Sequence, residues 1–518
     1  MSAIAQRVVP LRQLLESLPE KELRGPIPAE IRGLTDDSRR VTAGGCFVAV
    51  RGLRVDGHRF IPQAVERGAG AIVAEPPDPM AGRPDLEVGR ILVPDSRWAL
   101  PRLADAYFGH PSRALTVVGV TGTNGKTTTT YLVEALLRAR GIETGIIGTI
   151  WYVIRGRVRE ASQTTPEALE LQGLLAEMVA AGVTGVAMEV SSHALEQRRV
   201  DGTAFDVAIF TNLTQDHLDY HGTMERYAEA KARLLFELLP EGRKPSATAV
   251  LNGDDPVGAA WAKKLRGRVL TFGLGTGHAV RARRFESSLT GITLEATTPA
   301  GPIQLSSPLI GEHNVMNLLG AVAAGVALGL APRAVAAALT GVAAVPGRFE
   351  RVEAGQDFLV VVDYAHTPDA LRRVLETARR LTPGRLGVVF GAGGDRDRGK
   401  RPIMGRVAAE LAHRVWVTSD NPRSEDPEAI IEAIATGMVP PPPDGYTRHP
   451  DRREAIREAM RWGRGGDTVV IAGKGHETYQ IIAGQTLPFD DRQVAHEILT
   501  AELGTRRPTG RRGPKCYG

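Results

Sequence analysis

The sequence predicts an α/β fold of three domains, and three observations carry that prediction. The chain has 518 residues, long for one core when domains run to about 100–200 residues. Apolar strands (LTVVGV, VAMEV, VAIFTNL, FLVVVDY, LGVVFGA, RVWVTSD and TVVIAGK) alternate with helical stretches, and such alternation builds parallel sheets. Each strand runs directly into polar or glycine-rich residues: TGTNGKTTT, SSHALEQRR, TQDHLDYH, AHTPDA, GGDRDRGKR, NPRSEDP and GHETYQ. Open parallel sheets bind ligands beyond those carboxyl ends.

Taken in order, residues 1–112 hold short β-like runs, GGCFVAVRG and AGAIVAEPP, between turn-rich connections. Longer strand–helix units begin at 113 and continue to 345; a third alternating block covers 346–504. The last segment, 505–518, is basic and is expected to be disordered. It carries Arg506, Arg507, Arg511, Arg512 and Lys515 without an acid, which accounts for the whole formal charge of +5. The body is therefore nearly neutral. Aromatics are only 5%, and no basic stretch is interleaved with stacking side chains, so nucleic acid is not an expected partner.

A hydrophobic share of 42% with 24% charged residues excludes disordered and collagen-like classes. The apolar run Leu318 to Pro332 is about 15 residues, short of the roughly 20 that a membrane span requires. No cationic segment leads into an apolar core at the amino terminus, so secretion is not expected. Cys46 and Cys516 form no metal-spaced pair and indicate a reducing compartment. A cytoplasmic globular protein, monomeric, is the expectation.

Gly122-Thr123-Asn124-Gly125-Lys126-Thr127-Thr128 lies between a strand and the helix TTYLVEALLRAR. Glycines let backbone N–H groups approach a phosphate, and the helix amino terminus adds a positive dipole. Lys126 would reach the β- and γ-phosphates of ATP, and the Thr127 hydroxyl would sit on Mg²⁺. The strict phosphate-loop pattern is missed, because Val120 stands at its first glycine position. Glu189 ends the next strand and His217 follows a later one; with Thr127 they could share a Mg²⁺. Taken alone, His217 is more often a hydrogen-bonded surface histidine, and Lys231 in RYAEAKARLL reads as a solvated helix lysine.

The segments GVTGTNGKTTT, MEVSSHALEQRRVDG, FTNLTQDHLDYHGTMERYAEAK, GEHNVMN, PGRFE, DYAHTPDAL, GAGGDRDRGKRPIMG, SDNPR and AGKGHETYQ occur in this order. The chain resembles the Mur ligases over all but its tail, most nearly those that add the third residue of the peptidoglycan stem peptide. The resemblance implies a small N-terminal UDP-sugar-binding α/β domain, a central P-loop ATPase domain with a parallel sheet, and a C-terminal Rossmann-like domain that binds the amino acid. It also implies the substrates ATP, UDP-N-acetylmuramoyl-L-Ala-D-Glu and meso-diaminopimelate. ATP would phosphorylate the free D-Glu carboxylate to an acyl phosphate, which an amine then attacks.

Residue by residue, the resemblance implies catalytic roles for Lys126, Glu189, His217 and Lys231, the last as a carbamate that helps hold Mg²⁺. His313, Asn314, Asn317, Arg348 and Asp363 match the family's nucleotide-binding positions. Ser38 in TDDSR, Thr164, Thr165, Ser191, Gln197 and Arg199 match contacts to the UDP-muramyl-peptide, with a looser match over LRVDG at 53–57. Arg396, Asp420, Asn421, Pro422, Arg423, Gly473 and Glu477 match the meso-diaminopimelate site. Both charge signs suit a zwitterion there. Lysine would leave Arg423 buried without a partner, a loss worth up to about 10⁴-fold in discrimination. Read without the family, the alternatives stay open: DDSRR is equally well a polar turn, Arg198-Arg199 could be a solvated pair, and Asn-Pro in isolation is an ordinary turn. The other enzyme readings are a lysine-adding Mur ligase and a folylpolyglutamate synthase; a nucleic-acid-stimulated P-loop ATPase is the reading from another class.

Overall fold

The computed structural model describes residues 7–52, 55–81, 88–288, 290–342 and 345–505. The expected disorder of the tail, and Leu53 and Arg54 of the LRVDG segment, lie outside the described residues. Two compact units emerge. The first takes residues up to 285 with 294–306 and 315–342; the second takes 286–293, 307–314 and the remainder.

The first unit opens with a five-stranded sheet: β1 (Glu22–Arg24), β2 (Leu34–Thr35), β3 (Cys46–Val48), β4 (Ala71–Ala74) and β5 (Gly89–Leu92), in the order β1-β5-β4-β3-β2. Helix α1 (Ser96–Tyr107) follows, its amino end capped by the Asp95 carboxylate accepting from Trp98 N. The second sheet has a parallel centre: β6 (Thr116–Thr121), β7 (Thr144–Ile147), β8 (Gly185–Glu189), β9 (Val207–Phe210), β10 (Thr248–Asn252) and β11 (Arg268–Gly273). The order is β7-β8-β6-β9-β10-β11. Val117, Val118 and Val120 are fully buried, as befits a strand covered on both faces, and each such side chain contributes about 1.5–3 kcal/mol. Helix α2 (Lys126–Ala139) starts at the end of β6, and α3 (Met224–Arg233) is capped by Thr223.

The second unit carries a parallel sheet of β12 (Leu359–Asp363), β13 (Leu386–Phe390), β14 (Arg414–Thr418), β15 (Tyr446–His449) and β16 (Thr468–Ala472), ordered β12-β16-β13-β14-β15. Its helices include α4 (Pro368–Leu381), α5 (Lys400–Leu411), α6 (Pro427–Ala435), α7 (Arg452–Trp462) and α8 (Asp491–Thr505). Two apolar clusters form its core, one around Leu371, Val388 and Ile431 and the other around Ile456, Trp416 and Val469. All seven strands read from the sequence are present, and each ends in the polar segment that the pattern assigned to it. Among the described residues no helix is long and apolar enough to cross a membrane.

Candidate active site

The loop between β6 and α2 is held from the side by the end of β9. Thr211 Oγ1 donates to Asn124 O at 2.6 Å, Asn212 Nδ2 donates to the same carbonyl at 3.2 Å, and Asn124 N donates to Asn212 Oδ1 at 3.0 Å. Glycine is required at both turns. Gly122 (φ +146°) leaves only 1.9 Å between a notional Cβ and Thr211 Oγ1, and Gly125 (φ +82°) only 2.3 Å to Asn317 Oδ1. Asn317 therefore lies over the loop that the sequence assigned to nucleotide. Lys126 Nζ donates to Gly122 O and Thr123 O at 3.0 and 2.9 Å. Thr128 is buried in the first turn of α2.

Glu189 at the tip of β8 is buried and collects hydroxyls. Thr127 Oγ1 donates to its Oε2 at 3.1 Å; Thr149 donates through N to Oε1 at 2.8 Å and through Oγ1 to Oε2 at 3.2 Å. Thr149, which sequence pattern did not single out, also touches Thr164 Oγ1 at 3.0 Å. Thr165 Oγ1 donates to Glu189 O and accepts from Ser191 N. Arg199 continues the chain of contacts, donating to Thr165 O at 3.2 Å and to Gln197 Oε1 at 2.6 Å, with Glu167 3.0 Å away. Its side chain is 11% exposed, so the solvated-pair reading of Arg198-Arg199 fails for Arg199. Gln197 Nε2 donates to Tyr220 OH. The Tyr220 ring stacks 4.3 Å from His193, which stands 4.8 Å from His217. His217 is 44% exposed, while burial lowers the neighbouring His193 to about 4.

Lys231 joins this network through Tyr227, whose ring lies 6.1 Å from that of His217. Its Nζ donates to Gly122 O at 2.8 Å, and the Tyr227 ring lies 4.4 Å beneath it. The side chain is 1% exposed, so the solvated helix lysine read from the local sequence is wrong: the α3 face that carries it turns onto the P-loop. Burial drives its pKa well below that of a free amine, and the charge of Lys126 adds to the effect. Tyr227, four residues earlier and so on the same helix face, also meets Thr123 Oγ1 at 3.2 Å.

Ser38 is buried in the first sheet region and donates to Gln63 Oε1 at 2.6 Å. Its exposed neighbour Asp36 senses the charge of Glu167, the ion-pair partner of Arg199. The TDDSR turn and the Arg199 cluster thus share a neighbourhood.

In the second unit, Gly473 N donates to Asp363 O, tying the tips of β16 and β12. Asp363 accepts from Phe349 N at 2.7 Å, and burial raises its pKa against the opposing charge of Arg348. Asn314 Nδ2 donates to Ile310 O, and His313 beside it is exposed. Gly473 (φ +118°) places a notional Cβ 2.8 Å from Asp420 Oδ2, so the backbone approaches that carboxylate closely. Asn421 Nδ2 donates to Glu477 Oε2 at 2.9 Å, and Pro422 is buried between Asn421 and Arg423. Arg396 and Arg423 flank Gly393: a Cβ there would meet Arg423 Nη1 at 2.9 Å and Arg396 Cγ at 3.7 Å. Arg423 takes a left-handed backbone (φ +56°) and donates to Gly394 O at 2.8 Å. It is half-buried and Arg396 is exposed, which corrects the expectation of a buried Arg423, because the strand tips leave its guanidinium open on one side.

Among the described residues no three His, Cys, Asp or Glu side chains converge to hold a metal ion. The oxygen-rich set around Glu189 and Thr127 still suits Mg²⁺, which keeps waters and shares substrate phosphates with one or two carboxylates.

Residues 30–108 match the Mur ligase family catalytic domain, 120–325 the Mur ligase middle domain and 347–475 the Mur ligase glutamate ligase domain. The chain is 47% identical over 501 residues to the UDP-N-acetylmuramoyl-L-alanyl-D-glutamate--2,6-diaminopimelate ligase of Geobacter metallireducens, covering 93% of this chain and 97% of that one. It is 49% identical over 473 residues to the protein of the same name from Gloeobacter violaceus, with 91% and 94% covered. A solved structure of a ligase of this name aligns at TM-score 0.67 and 34% identity, over 95% of this chain and 99% of that one. Folylpolyglutamate synthase of Mycobacterium tuberculosis, at TM-score 0.60, 21% identity and coverage of 80% and 96%, shares the fold.

Proposed function

The chain belongs to the Mur ligase family, and we propose that it joins meso-diaminopimelate to the D-Glu side-chain carboxylate of UDP-N-acetylmuramoyl-L-Ala-D-Glu at the expense of ATP. The observation that carries this reading is the network of contacts in the first unit that joins the P-loop, Thr127, Glu189, Thr165, Arg199 and Gln197 and, through Tyr220, His193 and Tyr227, His217 and Lys231. It sets a phosphate-binding loop beside a cluster suited to a muramyl-peptide.

A carboxylate is a poor electrophile, so its oxygen first takes the γ-phosphoryl group and ADP leaves. The amine of the diamino acid then attacks the acyl carbon, and the tetrahedral adduct loses phosphate and a proton to give the amide. Phosphoryl transfer depends on positioning and charge neutralisation, which Lys126 and the loop amides supply. Arg199 offers a planar fork to a substrate carboxylate or phosphate. Thr127, Glu189 and His217 would hold Mg²⁺, whose contribution when bound is to neutralise charge on the phosphates.

Lys126 and Lys231 donate to the same oxygen, Gly122 O. Two ammonium groups there repel, and the depressed pKa of Lys231 favours its neutral, nucleophilic amine. Attack of that amine on CO₂ with loss of a proton would give a carbamate, an anion beside the charge of Lys126 that could serve with Thr127, Glu189 and His217 as an oxygen ligand for Mg²⁺. In the second unit, Arg396 and Arg423 suit the carboxylates of the amino acid, and Asp420 and Glu477 its ammonium.

The test is direct: incubate the protein with ATP and the UDP-linked dipeptide, add meso-diaminopimelate or L-lysine, and follow phosphate release and product mass. Diaminopimelate-dependent release with a mass gain of one diaminopimelyl residue is expected. Equal use of L-lysine would overturn the substrate assignment, and release that required DNA would overturn the reaction class.

A further inference from the structure

Lys474, directly after Gly473 at the end of β16, is 0% exposed. A lysine without solvent is costly unless its donors are engaged. Its Nζ donates to Glu477 Oε2 at 3.1 Å and to Asn421 Oδ1 at 3.2 Å, and lies 3.9 Å from Asp420 Oδ1. Every one of those partners belongs to the amino-acid site proposed above.

Two effects follow from this placement. The first is orientation. Asn421 Oδ1 accepts from both Lys474 Nζ and Ile481 N (2.9 Å), while Asn421 Nδ2 donates to Glu477 Oε2. The amide cannot flip without losing all three bonds, and Glu477 Oε2 is fully engaged. Glu477 Oε1 makes no hydrogen bond among the described residues, so this is the oxygen turned to a ligand. The second effect is charge. Asp420, Glu477 and Lys474 together leave one net negative charge where both carboxyls are ionised, the complement of a single ammonium. Without Lys474 two carboxylates would share a buried site, a situation that drives one of them to bind a proton.

We infer that Lys474 is a specificity-determining positioning residue: it fixes the Glu477 carboxylate and the Asn421 amide, and it sets the pocket's charge to accept one ammonium of the incoming diamino acid. This deepens the proposed function and rests on its assignment of the amino-acid site.

The experiment is initial-rate kinetics on the full chain carrying Lys474→Met, which keeps length and apolar stem but removes the charge. Lys474→Gln, which retains a donor, is the second variant should the first fail to fold. The KM for meso-diaminopimelate should rise about 10- to 100-fold, the scale of charge-assisted hydrogen bonds lost from a buried group. The KM values for ATP and the UDP-dipeptide, and kcat at saturating diamino acid, should stay within about threefold of wild type. Adding Glu477→Gln to Lys474→Met restores the pocket's net charge and should worsen KM by less than the product of the two single effects. An unchanged diaminopimelate KM, or a common rise in all three KM values, would overturn the inference. Failure of the wild-type protein to turn over diaminopimelate at all would instead overturn the reading beneath it.

Discussion

Arg452 offers a perturbation whose size can be worked from distances. Its guanidinium and the Asp491 carboxylate are both 0% exposed and joined by two bonds of 2.7 Å. The remaining donors reach Ser419 O at 3.3 Å and Ala472 O at 3.0 Å, the carbonyls immediately before Asp420 and Gly473. Arg452→Met leaves Asp491 charged and unpaired in the core and strips both strand-tip carbonyls of a donor, at a cost of about 3–5 kcal/mol. Because the chain has two units, a single global melt would blur this loss. Native-state hydrogen exchange of the amides of Val469 to Ile471 and Val415 to Val417 reads the second unit alone. Under conditions where closing outpaces exchange, those amides should exchange about 10²- to 10⁴-fold faster. Arg452→Met with Asp491→Leu should recover much of the protection, since a buried pair replaced by apolar groups is often nearly neutral. Wild-type protection in the single variant, or a double variant less protected than the single, would refute the reasoning.

Two other perturbations test separate parts of the molecule. Lys231→Ala should abolish ligation, and a short carboxylic acid added to the assay should restore part of it by replacing the carbamate; full activity without the acid would remove Lys231 from the chemistry. His476 is 9% exposed and its pKa falls to about 3, chiefly through burial and then through Arg348 and Arg492. Unfolded, it titrates near 6.5, so the unfolded chain binds a proton that the folded one refuses, and stability is lost as pH falls from about 6.5 toward 3. His476→Leu should therefore flatten the acid side of the second unit's stability profile measured by exchange; an identical slope would count against the burial effect.

Strands covered by helices on both faces were legible as uninterrupted apolar runs, which is why β6, β8, β9, β12, β13, β14 and β16 could be placed from residues alone. The strand β15, with sequence YTRH, was not: it pairs on one side only, with β14, and needs no apolar pattern. Lys231 illustrates why site residues are harder. It stands between two alanines in RYAEAKARLL, a pattern any helix surface could carry, and its partner is a carbonyl 109 positions earlier. Thr149, Tyr227 and Lys474 escaped for the same reason, since each takes its meaning from partners on other elements. Motif order located the P-loop, Glu189 and the DNPR segment. It could not reveal that Arg423 stands half open, or that the Asn421 side chain is spent on Glu477, Lys474 and Ile481, because both depend on how the strand tips fold against one another.

The clasp of Thr211 and Asn212 on Asn124 has a thermodynamic corollary. A phosphate cradle already braced by an adjacent strand has little backbone freedom left to surrender when a nucleotide enters, so the entropic penalty of ordering that loop is largely paid during folding. Calorimetry of ATP binding should then report a heat-capacity change no larger than the apolar surface covered by the nucleotide itself, without the added signature of a loop condensing around its guest.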